Sequence, residues 1–208
     1  MEKENDIFEL KKSIFIDGNE CNEIPYNYRK ITGEQIEEIF KESINDQYMV
    51  GASYELDPVI GARFFAKAAD IDYTDVKRMG LVDSSKVASL SREFLITSLN
   101  KKKDKENVLI LSEPIIIKGK EIKEIEYNFD GLTGEDTEFV FKEANRNQYI
   151  VSSSYELDPV IGARFFAKAS KFEYSDMLKM NAEDYLTASA FARDFFIVSL
   201  SGDQEEDN

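Results

Sequence analysis

Histidine and tryptophan are absent from this chain of 208 residues, and cysteine occurs once, as Cys21. Without histidine there can be no Ser-His-Asp or Cys-His catalysis, and the commonest zinc and iron ligand is missing. A single cysteine forms neither an internal disulfide nor a Cys-rich metal centre. Long apolar runs are lacking too: none approaches the ~20 residues of a membrane-spanning helix. The opening Met-Glu-Lys-Glu-Asn-Asp does not read as a secretory signal, so a soluble cytoplasmic protein is expected. Positive charge is scarce, with 26 Lys+Arg against 41 Asp+Glu and a net charge of −15. That balance argues against nucleic acid as the main partner, because phosphate binding needs a basic face. It favours solubility and basic or neutral protein partners. What the chain does have is a hydrophobic share of 42%, enough for a packed core and too much for a disordered chain.

It also has a repeat. Residues 53–68 read SYELDPVIGARFFAKA, and residues 154–169 read the same letters. The offset of 101 runs without a gap from Ile14/Ile115 to Leu99/Leu200. Tyr26-Asn27 recurs as Tyr127-Asn128, and Thr32-Gly33-Glu34 as Thr133-Gly134-Glu135. This period is too long for a solenoid, whose units span about 20–50 residues, and fits a duplicated small domain. The charge duplicates with it: residues 1–100 carry −7 and residues 101–208 carry −8. The expected organisation is a first repeat over 1–100, a polar linker over 101–107, a second repeat over 108–200 and a disordered acidic tail over 201–208.

Each repeat reads as an α+β unit, a short β-hairpin or meander followed by about four helices. In the second copy Val108–Leu111 and Ile115–Ile117 are apolar runs, and Gly119 marks a hairpin turn. Cys21 takes the place of Ile122 and is expected to be a small core residue. Thr32 and Thr133 suit helix N-caps; Ile36, Ile39 and Phe40 then form an apolar face, matched by Val140, Phe141 and Ala144. Asp57-Pro58 and Asp158-Pro159 open the next helix, with Asp as cap and Pro at the first helical position. That helix is apolar nearly all round and should be central. A short helix is expected near Thr74–Met79 and Ser175–Met180, and a longer one from about Asp83 and Glu183. The two copies are expected to pack as a pseudo-symmetric pair.

Few residues suggest chemistry. Glu55 with Asp57, and Glu156 with Asp158, are close carboxylates, but Asp before Pro at a helix start is better read as a cap. Asp130-Gly131-Leu132-Thr133-Gly134 lacks the lysine and spacing of a phosphate loop. No EF-hand spacing occurs. Arg63/Lys67 and Arg164/Lys168 could meet an anionic partner or be the wet side of a buried helix. The unchanged block admits core packing, recent duplication or a shared partner surface. On the last reading the candidate partner-binding residues are Tyr54, Arg63, Phe64, Lys67, Tyr155, Arg164, Phe165 and Lys168.

The second copy carries a family resemblance. Its landmarks are Pro114, Gly119-Lys120, Leu132-Thr133-Gly134-Glu135-Asp136, Phe166-Ala167-Lys168-Ala169, Asp176, Met180 and Asp184-Tyr185. In this it resembles the tail assembly chaperones of Mu-like and related tailed phages and prophages. The likeness spans 106–200, and more weakly 5–99, where Ser13, Asn19 and Gln35 replace Pro114, Lys120 and Asp136. Family members are commonly single-copy, so the tandem form is a departure. The resemblance implies a non-enzymatic protein of the host bacterial cytoplasm, without cofactor or metal. Its implied partners are the tape measure protein and, second to it, the tail tube protein, with self-association as a further expectation. A structural tail or baseplate component retained in the virion is the first alternative, and a carboxylate-dependent enzyme of unknown class the second.

Overall fold

Asp17-Gly18 and Lys118-Gly119 all have positive φ, the backbone of a two-residue I′ hairpin turn. Around these turns the chain folds back into two hairpins. In the computed structural model, which describes residues 5–101, 105–151 and 154–201, the first repeat comprises β1 (Asp6–Ile16), β2 (Asn19–Tyr26), α1 (Gly33–Asn45), α2 (Pro58–Ala69), α3 (Tyr73–Lys77) and α4 (Leu81–Leu99). The second comprises β3 (Val108–Ile117), β4 (Lys120–Glu126), α5 (Gly134–Arg146), α6 (Pro159–Ser170), α7 (Tyr174–Met177) and α8 (Ala182–Ser201). The protein is therefore α+β, with two antiparallel hairpins each followed by four helices. Among the described residues no helix is long and apolar enough to cross a membrane.

Three details differ from the sequence reading. The two apolar runs before Gly119 belong to one strand, β3, whose register shifts between Ile110 and Ile115. An equivalent bulge lies between Glu9 and Ile14 of β1. Ser112, inside the β3 bulge, donates its N–H to Asp184 at the start of α8 (2.9 Å), and Lys11 does the same to Asp83 of α4 (2.9 Å). A bulge leaves strand N–H groups unpaired, and here a buried carboxylate satisfies one in each repeat. Cys21 is half-buried rather than core, because its strand belongs to a two-stranded ribbon with only one face covered. Ser201 closes α8 instead of opening a tail; residues 202–208, and 102–104 of the expected linker, lie outside the described residues.

The long helix of each repeat packs on the apolar helix of the identical block, α4 on α2 and α8 on α6. The crossing is close because glycine faces it. A Cβ on Gly61 would meet the Ala88 carbonyl oxygen at 2.9 Å, and one on Gly162 the Ser189 carbonyl oxygen at 3.0 Å. Phe64, Phe65, Phe165 and Phe166 are all fully buried, so both faces of α2 and α6 are covered. In the first repeat they serve two cores. Phe65 joins Phe8, Ile24, Val76 and Val87 beneath the first hairpin. Phe64 joins a larger cluster that runs through Ile36 and Leu95 into Phe165, Tyr185 and Leu186 of the second repeat. The repeats thus share one core. Phe165→Ala should lower unfolding free energy by about 3–5 kcal/mol, the usual effect of deleting a buried aromatic ring. Urea titration followed by circular dichroism checks it; a shift under 1 kcal/mol would contradict the packing.

Candidate functional site

The identical block is built as a capped helix. Asp57 accepts the N–H groups of Val59 (2.8 Å) and Ile60 (3.1 Å), and Asp158 those of Val160 (2.9 Å) and Ile161 (3.0 Å). Tyr48 and Tyr149 each donate a hydroxyl to the same carboxylates. Burial pushes the Asp158 carboxyl up to about 6, against the pull of these hydrogen bonds and of Arg164. Both aspartates cap their helices, as Asp before Pro leads one to expect.

Three of the four cations of the block, all but Arg164, point home. Arg63 pairs with Asp46 and lies over the Tyr73 ring at 4.1 Å. Lys67 reaches Glu38 (3.0 Å) and Glu42 (3.2 Å) on α1. Lys168 reaches Asp136 (3.2 Å) and sits 4.2 Å from the Phe139 ring centre. These contacts lie within single repeats and tie α2 to α1 and α6 to α5. Of the eight candidate partner-binding residues, Tyr54, Arg63, Phe64, Arg164 and Phe165 are buried. They hold the fold and present no surface to a partner. Tyr155, Lys67 and Lys168 remain half-buried at its edge.

The joint between the repeats is where the two copies part company. The main chain before α1 runs into the α7–α8 turn. Ala182 N–H donates to the Ile31 carbonyl (2.7 Å), Gly33 N–H to Met180 (2.8 Å) and Glu34 N–H to Leu178 (3.0 Å). Beneath this lies a buried polar cluster. Glu37 accepts from Arg164 (3.1 Å), from the Tyr174 hydroxyl (2.7 Å) and from Lys41 (2.7 Å). Tyr174 has spent its one proton on Glu37, so Tyr185 donates to Tyr174 (2.9 Å). Arg164 also holds Glu143 (3.0 Å) and lies 3.7 Å above the Tyr174 ring. Desolvation drives both phenols well above their ordinary range, so they stay neutral hydrogen-bonding groups.

None of this is reciprocated among the described residues. The counterparts of Gly33 and Glu37 are Gly134 and Glu138, and both are exposed. The counterparts of Met180-Asn181-Ala182 are Met79-Gly80-Leu81, and Leu81 is 83% exposed. α4 packs on its counterpart α8, but the contacts made by the start of α1 run one way, so the expected pseudo-symmetric pair is not formed there. A two-fold pair would require each contact to appear twice.

Three pairs of exposed apolar side chains occupy equivalent places of the two repeats, Ile96 and Ile197 (37% and 45%) among them, while Ile7, Leu56, Phe139 and Val198 have no exposed apolar counterpart. Phe15 (61%) and Ile116 (60%) occupy the same place near the two hairpin turns. Met49 (75%) and Ile150 (61%) occupy the same place after α1 and α5. Identical letters do not mark Phe15/Ile116 or Met49/Ile150, because these positions keep only apolar character. Comparisons with known protein families, with curated proteins and with solved structures find no match.

Proposed function

We propose that the chain is a tail assembly chaperone of a tailed phage or prophage, a non-enzymatic protein that holds the tape measure protein soluble in the host bacterial cytoplasm. The observation that carries the binding reading is the matched exposure of Phe15/Ile116 and Met49/Ile150. Large apolar side chains held in water at equivalent places of two repeats suit a repetitive, amphipathic client. The tape measure protein is such a client, a long helix-rich chain that would otherwise self-associate. Two linked sites raise effective concentration on it, and a net charge of −15 keeps the complex dispersed. The identity of the client rests on the resemblance of residues 106–200. The tail tube protein is a second client on the same grounds.

The test is co-expression with the tape measure protein encoded beside it, followed by pull-down. Wild type should recover soluble client. Phe15→Glu with Ile116→Glu, or Met49→Glu with Ile150→Glu, should lose most of the recovery while leaving the thermal melt unchanged, since the sites are exposed. Client recovery unaffected by either pair would reject this surface. Abundant chain in purified virions would point instead to a retained tail component.

A further inference from the structure

The joint between the repeats has two unlike sides. One is the segment Ile31-Thr32-Gly33 with Glu37; the other is the α7–α8 turn with Arg164. Because the repeats are homologous, each molecule carries a second set of both sides. The second set of the first side is Leu132-Thr133-Gly134 at the start of α5. The second set of the other is Met79-Gly80-Leu81 at the α3–α4 turn. Both lie open. Gly134 has nothing within 4 Å of where its Cβ would be, whereas the same point on Gly33 meets the Tyr185 ring at 2.5 Å. Leu81 and Val82 are 83% and 51% exposed, while Ala182, the counterpart of Leu81, is fully buried. Gly80 has no side chain with which to cap the first N–H groups of α4, whereas the equivalent Ala182 N–H is taken by the Ile31 carbonyl.

We propose that the chain assembles head to tail with further copies of itself, the start of α5 in one molecule docking on the α3–α4 turn of the next as the start of α1 docks on the α7–α8 turn within the chain. The occupant follows from the internal joint, which already shows this contact between the two repeats. Charge agrees at one point: Glu135 on one side would lie near Lys77 on the other, whereas Arg78 and Glu138 are already paired with Asp75 and Lys142. A contact of this unlike-sided kind closes into a ring or runs on as a filament, and does not stop at a two-fold dimer. It is weaker than the internal joint for two visible reasons. Ser84 stands where Tyr185 fills the internal contact, and Arg63 is already held by Asp46. Assembly is therefore concentration-dependent. It stands apart from the chaperone reading and needs no client.

Sedimentation velocity and light scattering on the full chain test it. Wild type should rise with concentration from 23.8 kDa through whole multiples of that mass. Leu81→Asp removes one side and Gly134→Arg the other, and each variant alone should stay monomeric. Mixed, they should form a dimer and nothing larger, because each keeps one working side. Both positions are exposed, so the melts should match wild type; Thr133→Arg replaces Gly134→Arg if that variant melts early. A wild-type chain that stays at one mass across the range, variants that still self-associate, or a mixture without dimer would each overturn the proposal.

Discussion

Gly33→Ala should destabilise the protein by about 3 kcal/mol, at the upper end of ordinary overpacking, while Gly134→Ala, the same substitution at the same place of the other repeat, should leave it unchanged or more stable. The Cβ on Gly33 would lie 2.5 Å from the Tyr185 ring and 2.7 Å from the Met177 carbonyl oxygen. The ring is fully buried, and the backbone is held by the hydrogen bonds of Gly33 to Met180 and Glu34 to Leu178. Neither neighbour can yield without opening the joint. At Gly134 the space is empty, and removing a glycine from a helix restricts the unfolded chain, a gain of roughly 0.4–1 kcal/mol. Urea unfolding of the two variants beside wild type checks the difference. Equal shifts would show that the joint does not constrain Gly33.

Glu37→Ala should lower stability by about 3 kcal/mol, and Glu138→Ala by less than about 0.5 kcal/mol. Glu37 is buried and takes Arg164, Tyr174 and Lys41. Its removal leaves an arginine whose side chain has no exposed surface with one carboxylate instead of two, and leaves one phenol proton of the Tyr174–Tyr185 pair without an acceptor. The loss sits at the low end of the range for breaking a buried pair because Glu143 still holds Arg164. Among the described residues Glu138 pairs with Lys142 on its own exposed face, and such i,i+4 pairs contribute little. Thermal melts of both variants decide it. Near-equal melts would mean that Arg164 is satisfied without the first repeat.

Local chemistry made much of the fold legible. Asp-Pro announced the start of α2 and α6, and Asp-Gly and Lys-Gly the hairpin turns, because each sets backbone angles or caps N–H groups within a few residues. The apolar face Ile36-Ile39-Phe40 is buried as its spacing requires, and so are Val140 and Ala144, while Phe141 of the second face is only half-buried. The bulges were not legible, because the partners of Lys11 and Ser112 lie 72 residues further along the chain. The burial of five of the eight candidate partner residues was not legible for a similar reason. Tyr54, Arg63 and Arg164 look like surface residues by type, and only their tertiary neighbours show that they are enclosed.

What the sequence determined by itself is the duplication, the α+β order within each unit and the chemistry that lacking histidine and paired cysteines forbids. Those follow from residue type and short-range spacing. What only the tertiary structure decided is that two nearly equivalent units do not do equivalent things. The block of residues 154–169 repeats that of 53–68 letter for letter, yet Asp158 is buried and Asp57 half-buried, and Arg164 reaches across the joint while Arg63 does not. Burial and partnership belong to the surroundings of a residue. Two copies joined by an unlike-sided contact cannot have the same surroundings, so each is left with one side of that contact unused.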